Sequence, residues 1–308
     1  MSHSVVLSEI QIEEIRKLAE RTRQSLGFVG DTPIANDIFT ILDNEGILLL
    51  EYPIKSEGEK PAFSAALMYS KEGNKELAFI GLNTADYFDK QIFAIAHELY
   101  HYYTKTGSHL SRPSEEENDL IEKTANRFAA EFLLPESNIK SIVLKEFKIS
   151  SLEKKQTKTL LRFIARLQCT WWLPYRSLVK RLKEINAISD DQYYKLFAID
   201  ERDMAGEYGR MGRAINEEVF LKLNKATNNI GTSPKDIEII IRNFEDELID
   251  EDKFTNTLAL FNKNPDDFGY EFEVSDEDIE EFEEFFNGEV GDESWFNLLK
   301  PSIRKHLQ

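Results

Sequence analysis

The chain has 308 residues, of which 41% are hydrophobic and 31% are charged, so it is long enough for two domains or for one domain with an appendage. Its single cysteine, Cys169, excludes an internal disulfide and is typical of a reducing compartment. The first residues have neither the basic region nor the apolar core of a secretion signal, and no stretch is long enough to span a bilayer. We therefore expect a cytoplasmic protein with no membrane partner.

The first part of the chain predicts two helices followed by a small sheet. Residues 8–45 carry apolar side chains at helical spacing on both sides of a glycine-containing break. Three short runs with strand-like composition follow, at residues 47–54, 63–69 and 77–82. A hairpin signal at 71–74 separates the last two, so these two runs are expected to pair with each other.

The pattern H-E-x-x-H lies in the run F-A-I-A-H-E-L-Y-H-Y, residues 93–102. Apolar residues recur there at a spacing of three or four, at Ile92, Ile95, Leu99 and Tyr102. This periodicity predicts a helix, on which His97 and His101 share one face with Cβ atoms roughly 5–6 Å apart and can bind one zinc ion. Glu98 points away from His97 around the same helix. Its carboxylate is therefore expected beside the metal, in the position of a general base.

A second predicted helix offers a third ligand. Residues 120–134 have helical periodicity up to the proline that follows, and Ser114 and Glu117 have the spacing of a capping box. Its apolar stripe consists of Ile121, Ala125, Phe128 and Phe132. Glu122 lies at the edge of this stripe, where a carboxylate is costly unless it meets a cation. Asn126, one turn later on the same face, could hold a metal ligand in place through a hydrogen bond.

The two motifs H-E-L-Y-H and E-K-T-A-N-R-F-A-A-E-F-L-L-P resemble the pattern H-E-x-x-H followed by E-x-x-A-N-x-F-A-x-x-L-L-P of the ImmA/IrrE family of bacterial and phage metallopeptidases. The resemblance implies an α+β fold: a zincin-like peptidase core with a small sheet and an active helix, followed by a mainly helical C-terminal region. It implies that His97, His101 and Glu122 bind Zn²⁺ and that Glu98 is the catalytic base. Family members often have a small residue, commonly glycine, at the position of Tyr100, so the cleft wall is expected to differ in shape.

The function implied by this resemblance is that of a zinc-dependent endopeptidase. It would cleave one specific protein, such as a helix-turn-helix transcriptional repressor, in a stress or mobile-element regulatory switch. The alternative is a DNA-binding or antitoxin-like regulator with a non-catalytic zinc site. Glu98 favours the enzyme, because a structural zinc site has no use for a carboxylate beside an open coordination position.

Two features of the implied site stay open at the level of sequence. In zincin-like peptidases a sheet edge beside the metal binds the substrate as an added strand, so the run 63–69 is either such a template or an ordinary core strand. The residue that stabilises the oxyanion of the reaction is not decided by spacing. The candidates are Tyr100, His109, Tyr175 and Arg176.

Composition divides the chain into three predicted segments. These are a zincin-like metallopeptidase domain at 1–136, a basic helix-turn-helix-like segment at 137–200, and a helical, strongly acidic region at 201–308. Residues 139–186 contain twelve Lys or Arg against three Glu, a net charge of +9. Their apolar spacing predicts two helices around a turn at 168–170, which is compatible with a weak nucleic-acid contact or with a solvated helical face.

The end of the chain is acidic and rich in aromatic residues. Residues 244–293 contain twenty Asp or Glu against two Lys, a net charge of −18 that equals the net charge of the whole chain. Purely disordered acidic tails lack the phenylalanines that punctuate this region. It is expected to fold against the basic segment, to mimic DNA for a basic partner, or to act as a solubilising appendage.

Overall fold

The computed structural model describes residues 6–55, 63–72, 75–106 and 115–272. Over these ranges the chain is an α+β protein in which a three-stranded sheet follows two helices and precedes a long series of helices. This confirms the predicted fold class. His109 and all residues after Phe272 lie outside the described residues, as do the side chains of the predicted capping box.

The two N-terminal helices are α1 (Glu9–Ser25) and α2 (Ile38–Glu45). Helix α1 begins at a capping box in which the Ser8 hydroxyl accepts from the Gln11 amide and the Gln11 side chain accepts from the Ser8 amide. Helix α2 ends at Gly46, whose φ of 69° is the left-handed conformation that glycine adopts without steric cost. The chain can therefore turn directly into the sheet.

The sheet has the order β1-β3-β2, with strands β1 (Ile47–Tyr52), β2 (Ala65–Glu72) and β3 (Lys75–Asn83). Strand β1 is parallel to β3, and β2 is antiparallel to β3. The central strand is apolar on both sides, and its buried Ile80 is in register with Leu49 of β1 and Leu67 of β2. Strand β2 is therefore an edge strand, and all three predicted runs are strands.

The two helices of the motifs are α3 (Phe88–Thr104) and α4 (Glu115–Leu133), which pack against each other. Their predicted apolar stripes face the core, because Ile92, Ile95 and Leu99 of α3 are completely buried, as are Ala125, Phe128 and Phe132 of α4. Helix α3 ends at Lys105, which adopts the left-handed conformation with φ 54°.

The rest of the described chain is helical, as predicted. The helices are α5 (Glu136–Phe147), α6 (Thr157–Trp171), α7 (Tyr175–Glu184), α8 (Asp190–Phe197), α9 (Glu207–Leu223), α10 (Pro234–Glu245) and α11 (Glu251–Ala259). The predicted turn at 168–170 is wrong, because α6 continues to Trp171 and the chain turns at Trp172, which has a φ of 57°. The apolar side chains Leu178, Val179 and Leu182 of α7 are completely buried, so this helix belongs to the core.

One cluster of buried side chains runs from Ile15 to Leu223. It includes residues of the sheet, of α3 and α4, and of α6 to α9. The core therefore crosses residues 136 and 200, and the division of the chain at these two positions stays a prediction.

The charges of the basic segment are largely paired within the described part of the chain. Seven of the twelve cations at 139–186 form ion pairs with carboxylates: Lys140, Lys145, Lys158, Arg166, Arg176, Arg181 and Lys183. The acidic partners lie between Asp31 and Glu207, so among the described residues none belongs to the run 244–293 that carries the net charge of −18. The net charge of +9 therefore overstates the positive charge that this segment can offer to a nucleic acid.

The described part of the acidic region is folded around aromatic side chains. The Phe244 ring of α10 stacks on Phe254 of α11 with centroids 4.4 Å apart, and Tyr270 and Phe272 contact both rings edge-on. The phenylalanines of this region thus pack with one another. Among the described residues, no helix combines the length and the apolar composition needed to cross a membrane.

Candidate metal centre

The packing of α3 on α4 brings His97, His101 and Glu122 together. The two histidine Nε2 atoms are 3.2 Å apart, and Nε2 of His97 is 3.1 Å from Oε2 of Glu122. The Nε2 atom of His101 is 3.7 Å from Oε1 of the same carboxylate. Ligands at about 2.0–2.1 Å from one ion in tetrahedral geometry are separated by about 3.3 Å, so this triangle has the dimensions of a metal site. The three residues form a group that could hold a metal ion.

Each histidine has a hydrogen-bond partner on its other nitrogen. The Oδ1 atom of Asn126 is 3.2 Å from Nδ1 of His97, as its position one turn after Glu122 predicts. The Oγ1 atom of Thr106 is 3.2 Å from Nδ1 of His101. A proton on Nδ1 in each ring leaves the Nε2 lone pair free for a metal. The sequence did not predict the contact to Thr106. Thr106 comes close to His101 because of where α3 ends, and apolar periodicity does not locate the end of a helix.

The electrostatics of the three ligands favour a cation between them. Burial lowers the pKa of His97, but the hydrogen bond to Glu122 and the charges of Glu98 and Glu122 raise it above its ordinary value overall. Burial and the nearby His97 lower the pKa of His101. The hydrogen bond from His97 lowers the pKa of Glu122 although burial opposes this effect. The opposite shifts of His97 and Glu122 have one cause, the contact between a histidine ring and a carboxylate that attract each other when both are charged.

Glu98 lies beside the triangle and is held by the edge strand. Its Oε2 accepts a hydrogen bond from the Leu67 amide of β2 at 2.9 Å, and only 9% of the residue is exposed. Burial raises the pKa of Glu98 to about 7, although His97 and the Leu67 amide lower it in part. A carboxyl group with this pKa can both take up and release a proton near neutral pH. The backbone contact to Leu67 has no signature in the sequence.

A cleft of about 370 Å³ opens onto these residues. Its walls come from the start of β2, from α3, from α4 and from the first turn of α7. The side chains around the candidate ligands include Ser64, Ala65, Phe93, Pro174 and Ser177. The cleft is therefore bounded on one side by a strand edge and on the other by helices, which is a suitable shape for an extended chain.

The described candidates for oxyanion stabilisation do not line this cleft. Tyr100 is buried against Phe128, with ring centroids 5.6 Å apart, so it packs into the core and does not form the cleft wall. Tyr175 is completely buried and donates its hydroxyl hydrogen to the Leu196 carbonyl. Arg176 pairs with Glu201 at 3.2 Å. The expectation of an altered cleft wall at Tyr100 is therefore wrong.

The comparisons with known proteins agree with the geometry. The family model Peptidase_M78, described as the IrrE N-terminal-like domain, matches residues 46–182. This span begins just before β1 and ends within α7, so it contains the sheet, both motif helices and all four site residues. No curated protein and no solved structure matches the chain. The match supports the resemblance to the ImmA/IrrE family over residues 46–182, and with it a peptidase-type function in general for this part of the chain.

Proposed function

We propose that this protein is a zinc-dependent endopeptidase that cleaves one specific protein, such as a helix-turn-helix transcriptional repressor in a stress or mobile-element switch. The observation that carries the proposal is the convergence of His97, His101 and Glu122 with Glu98 beside them at an open cleft. Two imidazoles and one carboxylate are the donor set of known catalytic zinc sites, with one position left for water. The repressor substrate rests on the family resemblance.

The chemistry assigns separate tasks to these residues. Zinc bound there would lower the pKa of a coordinated water to about 7 and polarise the scissile carbonyl. The Oε1 atom of Glu98 takes a proton from the attacking water and returns it to the leaving amine. The Leu67 amide holds the other oxygen of Glu98, so the carboxylate keeps a fixed direction while the proton moves.

Among the described strands β2 has one partner, β3, and its other edge supports a peptide as substrate. The amide of Asn83 in β3 donates to the Ser64 carbonyl, whereas the amide of Leu67 points away from β3 towards Glu98. Because backbone direction alternates along a strand, the polar groups of Ala65 and Tyr69 also face the free edge. An extended segment of substrate can pair there as an added strand beside the catalytic residues.

The substrate is tested with the zinc-loaded protein and the helix-turn-helix repressor encoded next to it. We expect cleavage of the repressor at a defined bond, with little action on unrelated peptides, and complete inhibition by a chelator. Analysis of the products by mass spectrometry gives the bond. An intact repressor, together with metal-dependent binding of the protein to DNA or to that repressor, would favour the non-catalytic regulator instead.

The metal is tested by substitution of its ligands. The purified protein is expected to hold about one zinc per chain, and His97→Ala, His101→Ala and Glu122→Ala should each remove it, because a three-ligand site loses affinity steeply with any ligand. Asp119→Ala, an exposed carboxylate on the same helix as Glu122, is the matched control. Retention of zinc in Glu122→Ala combined with its loss in Asp119→Ala would disprove the third ligand.

A further inference from the structure

A chain of hydroxyl groups lies behind His101 at the end of α3. The Nδ1 atom of His101 is 3.2 Å from Oγ1 of Thr106. That oxygen is 2.7 Å from Oγ1 of Thr104, which is in turn 2.7 Å from the carbonyl oxygen of Tyr100. The three contacts connect a candidate metal ligand to the backbone of its own helix.

The direction of every hydrogen bond in this series follows from the two groups at its ends, the His101 ring and the Tyr100 carbonyl. The Nε2 atom of His101 faces the other ligand atoms and needs a lone pair for a metal, so its proton must be on Nδ1. Nδ1 then donates to Thr106, whose own hydrogen is free to be donated to Thr104. The Thr104 hydroxyl donates to the Tyr100 carbonyl, which can only accept. No donor or acceptor in the chain is left without a partner.

The local structure explains why Thr106 reaches back to the helix. Lys105 adopts the left-handed conformation immediately after Thr104, the last residue of α3, which reverses the direction of the chain. Its ammonium group lies 4.4 Å from the Tyr102 ring centroid and 5.3 Å from the Tyr69 ring centroid. These two cation–π contacts hold the turn between α3 and β2. The turn is thus fixed by contacts that do not involve His101.

We propose that Thr106 and Thr104 are positioning residues that fix the tautomer and the orientation of His101 for metal binding. This rests on the metal site of the proposed function. The two histidines then depend on different supports, since His97 is held by an amide of α4 and His101 by a relay of two threonines at and just after the end of its own helix. Partners of this kind typically change metal affinity by about 10–100-fold when they are removed.

The experiment measures zinc affinity by competition with a chelator, for the wild-type protein and for a set of threonine variants. Thr106→Val keeps the shape of the side chain and is expected to weaken zinc binding by about 10–100-fold, whereas Thr106→Ser should stay close to wild type. Thr104→Val should have a smaller effect, and should add almost nothing in the Thr106→Val background, because the relay is already broken. Thr257→Val is the control, since the Thr257 hydroxyl makes the same contact to a carbonyl four residues earlier, in α11.

The outcomes separate this inference from the proposed function. A wild-type protein that binds no zinc would contradict the metal site itself. Zinc binding by the wild type with equal affinity in Thr106→Val would overturn the positioning role alone. An equal loss in Thr106→Ser and Thr106→Val would also overturn it, because the hydroxyl would then not be the group that matters. Thermal unfolding of the metal-free variants should match that of the wild type, which shows that the loss concerns metal binding and not folding.

Discussion

Replacing Glu98 with glutamine is expected to leave the metal bound and to reduce peptide cleavage by about 10²–10⁴-fold, the usual effect of removing a general base. Glutamine has nearly the same size as glutamate, and its amide oxygen can still accept the hydrogen bond from the Leu67 amide. It cannot take up a proton from water at neutral pH. The fold and the three ligands should therefore be unchanged while the proton transfer is lost.

The measurement pairs zinc content with cleavage rate on the same preparation of Glu98→Gln. Glu14→Gln, an exposed substitution on α1, is the control for the chemical change itself and should behave as wild type. Glu122→Gln should lose zinc as well as activity, which distinguishes a ligand from a base. A zinc-loaded Glu98→Gln protein with a cleavage rate close to wild type would remove Glu98 from the mechanism and favour the regulator.

The parts of this site that sequence could predict are those set by helical spacing. His97 and His101 are four residues apart, so any regular helix places them on one face, and Glu122 shares its helix with an apolar stripe that fixes which side faces the core. Asn126 follows from the same argument. The observed distances among these four side chains are consequences of two helices that pack through their predicted stripes.

The contacts that sequence could not predict join elements distant in the chain or depend on where a helix ends. The Leu67 amide reaches Glu98 only because β2 is an edge strand beside α3. Thr106 reaches His101 because of the left-handed turn at Lys105. Tyr100 was expected in the cleft wall, but α4 packs beside it and its ring lies against Phe128.

The net charge of a segment was an equally limited predictor of nucleic-acid binding, because it does not distinguish a buried cation from a solvated one. Arg181 contributes to the net charge of +9 in residues 139–186, but its side chain is only 1% exposed. Burial alone would lower the pKa of Arg181, but the Glu131 and Glu184 carboxylates raise it above its ordinary value. The guanidinium is therefore a charged group inside the protein, unavailable to a nucleic acid.

Loss of the Arg181 side chain is expected to be among the most destabilising single changes in the chain. Its two terminal nitrogens contact the two carboxylate oxygens of Glu131 at 3.0 and 2.9 Å, which joins α7 to α4. A further bond of 3.0 Å reaches the Leu134 carbonyl at the end of α4. Arg181→Met should lower the free energy of unfolding by about 3–5 kcal/mol, because the buried Glu131 carboxylate loses a two-point contact and keeps only Arg127, at 2.7 Å, as a close counter-ion. Urea unfolding of the metal-free protein measures this difference.

The double variant Arg181→Met with Glu131→Leu decides whether the cost comes from the charge left behind. It should be less destabilised than the sum of the two single variants, because neither buried charge then lacks its partner. Lys195→Met removes the exposed pair with Asp191 in α8 and should change the free energy of unfolding by only about 0.5 kcal/mol or less. A cost for Arg181→Met as small as that of Lys195→Met would mean that the ion pair of Arg181 with Glu131 contributes little to holding α7 on α4. Because Glu131 lies nine residues after Glu122 on α4, a large cost would also mean that the helix of the third ligand is anchored by this ion pair.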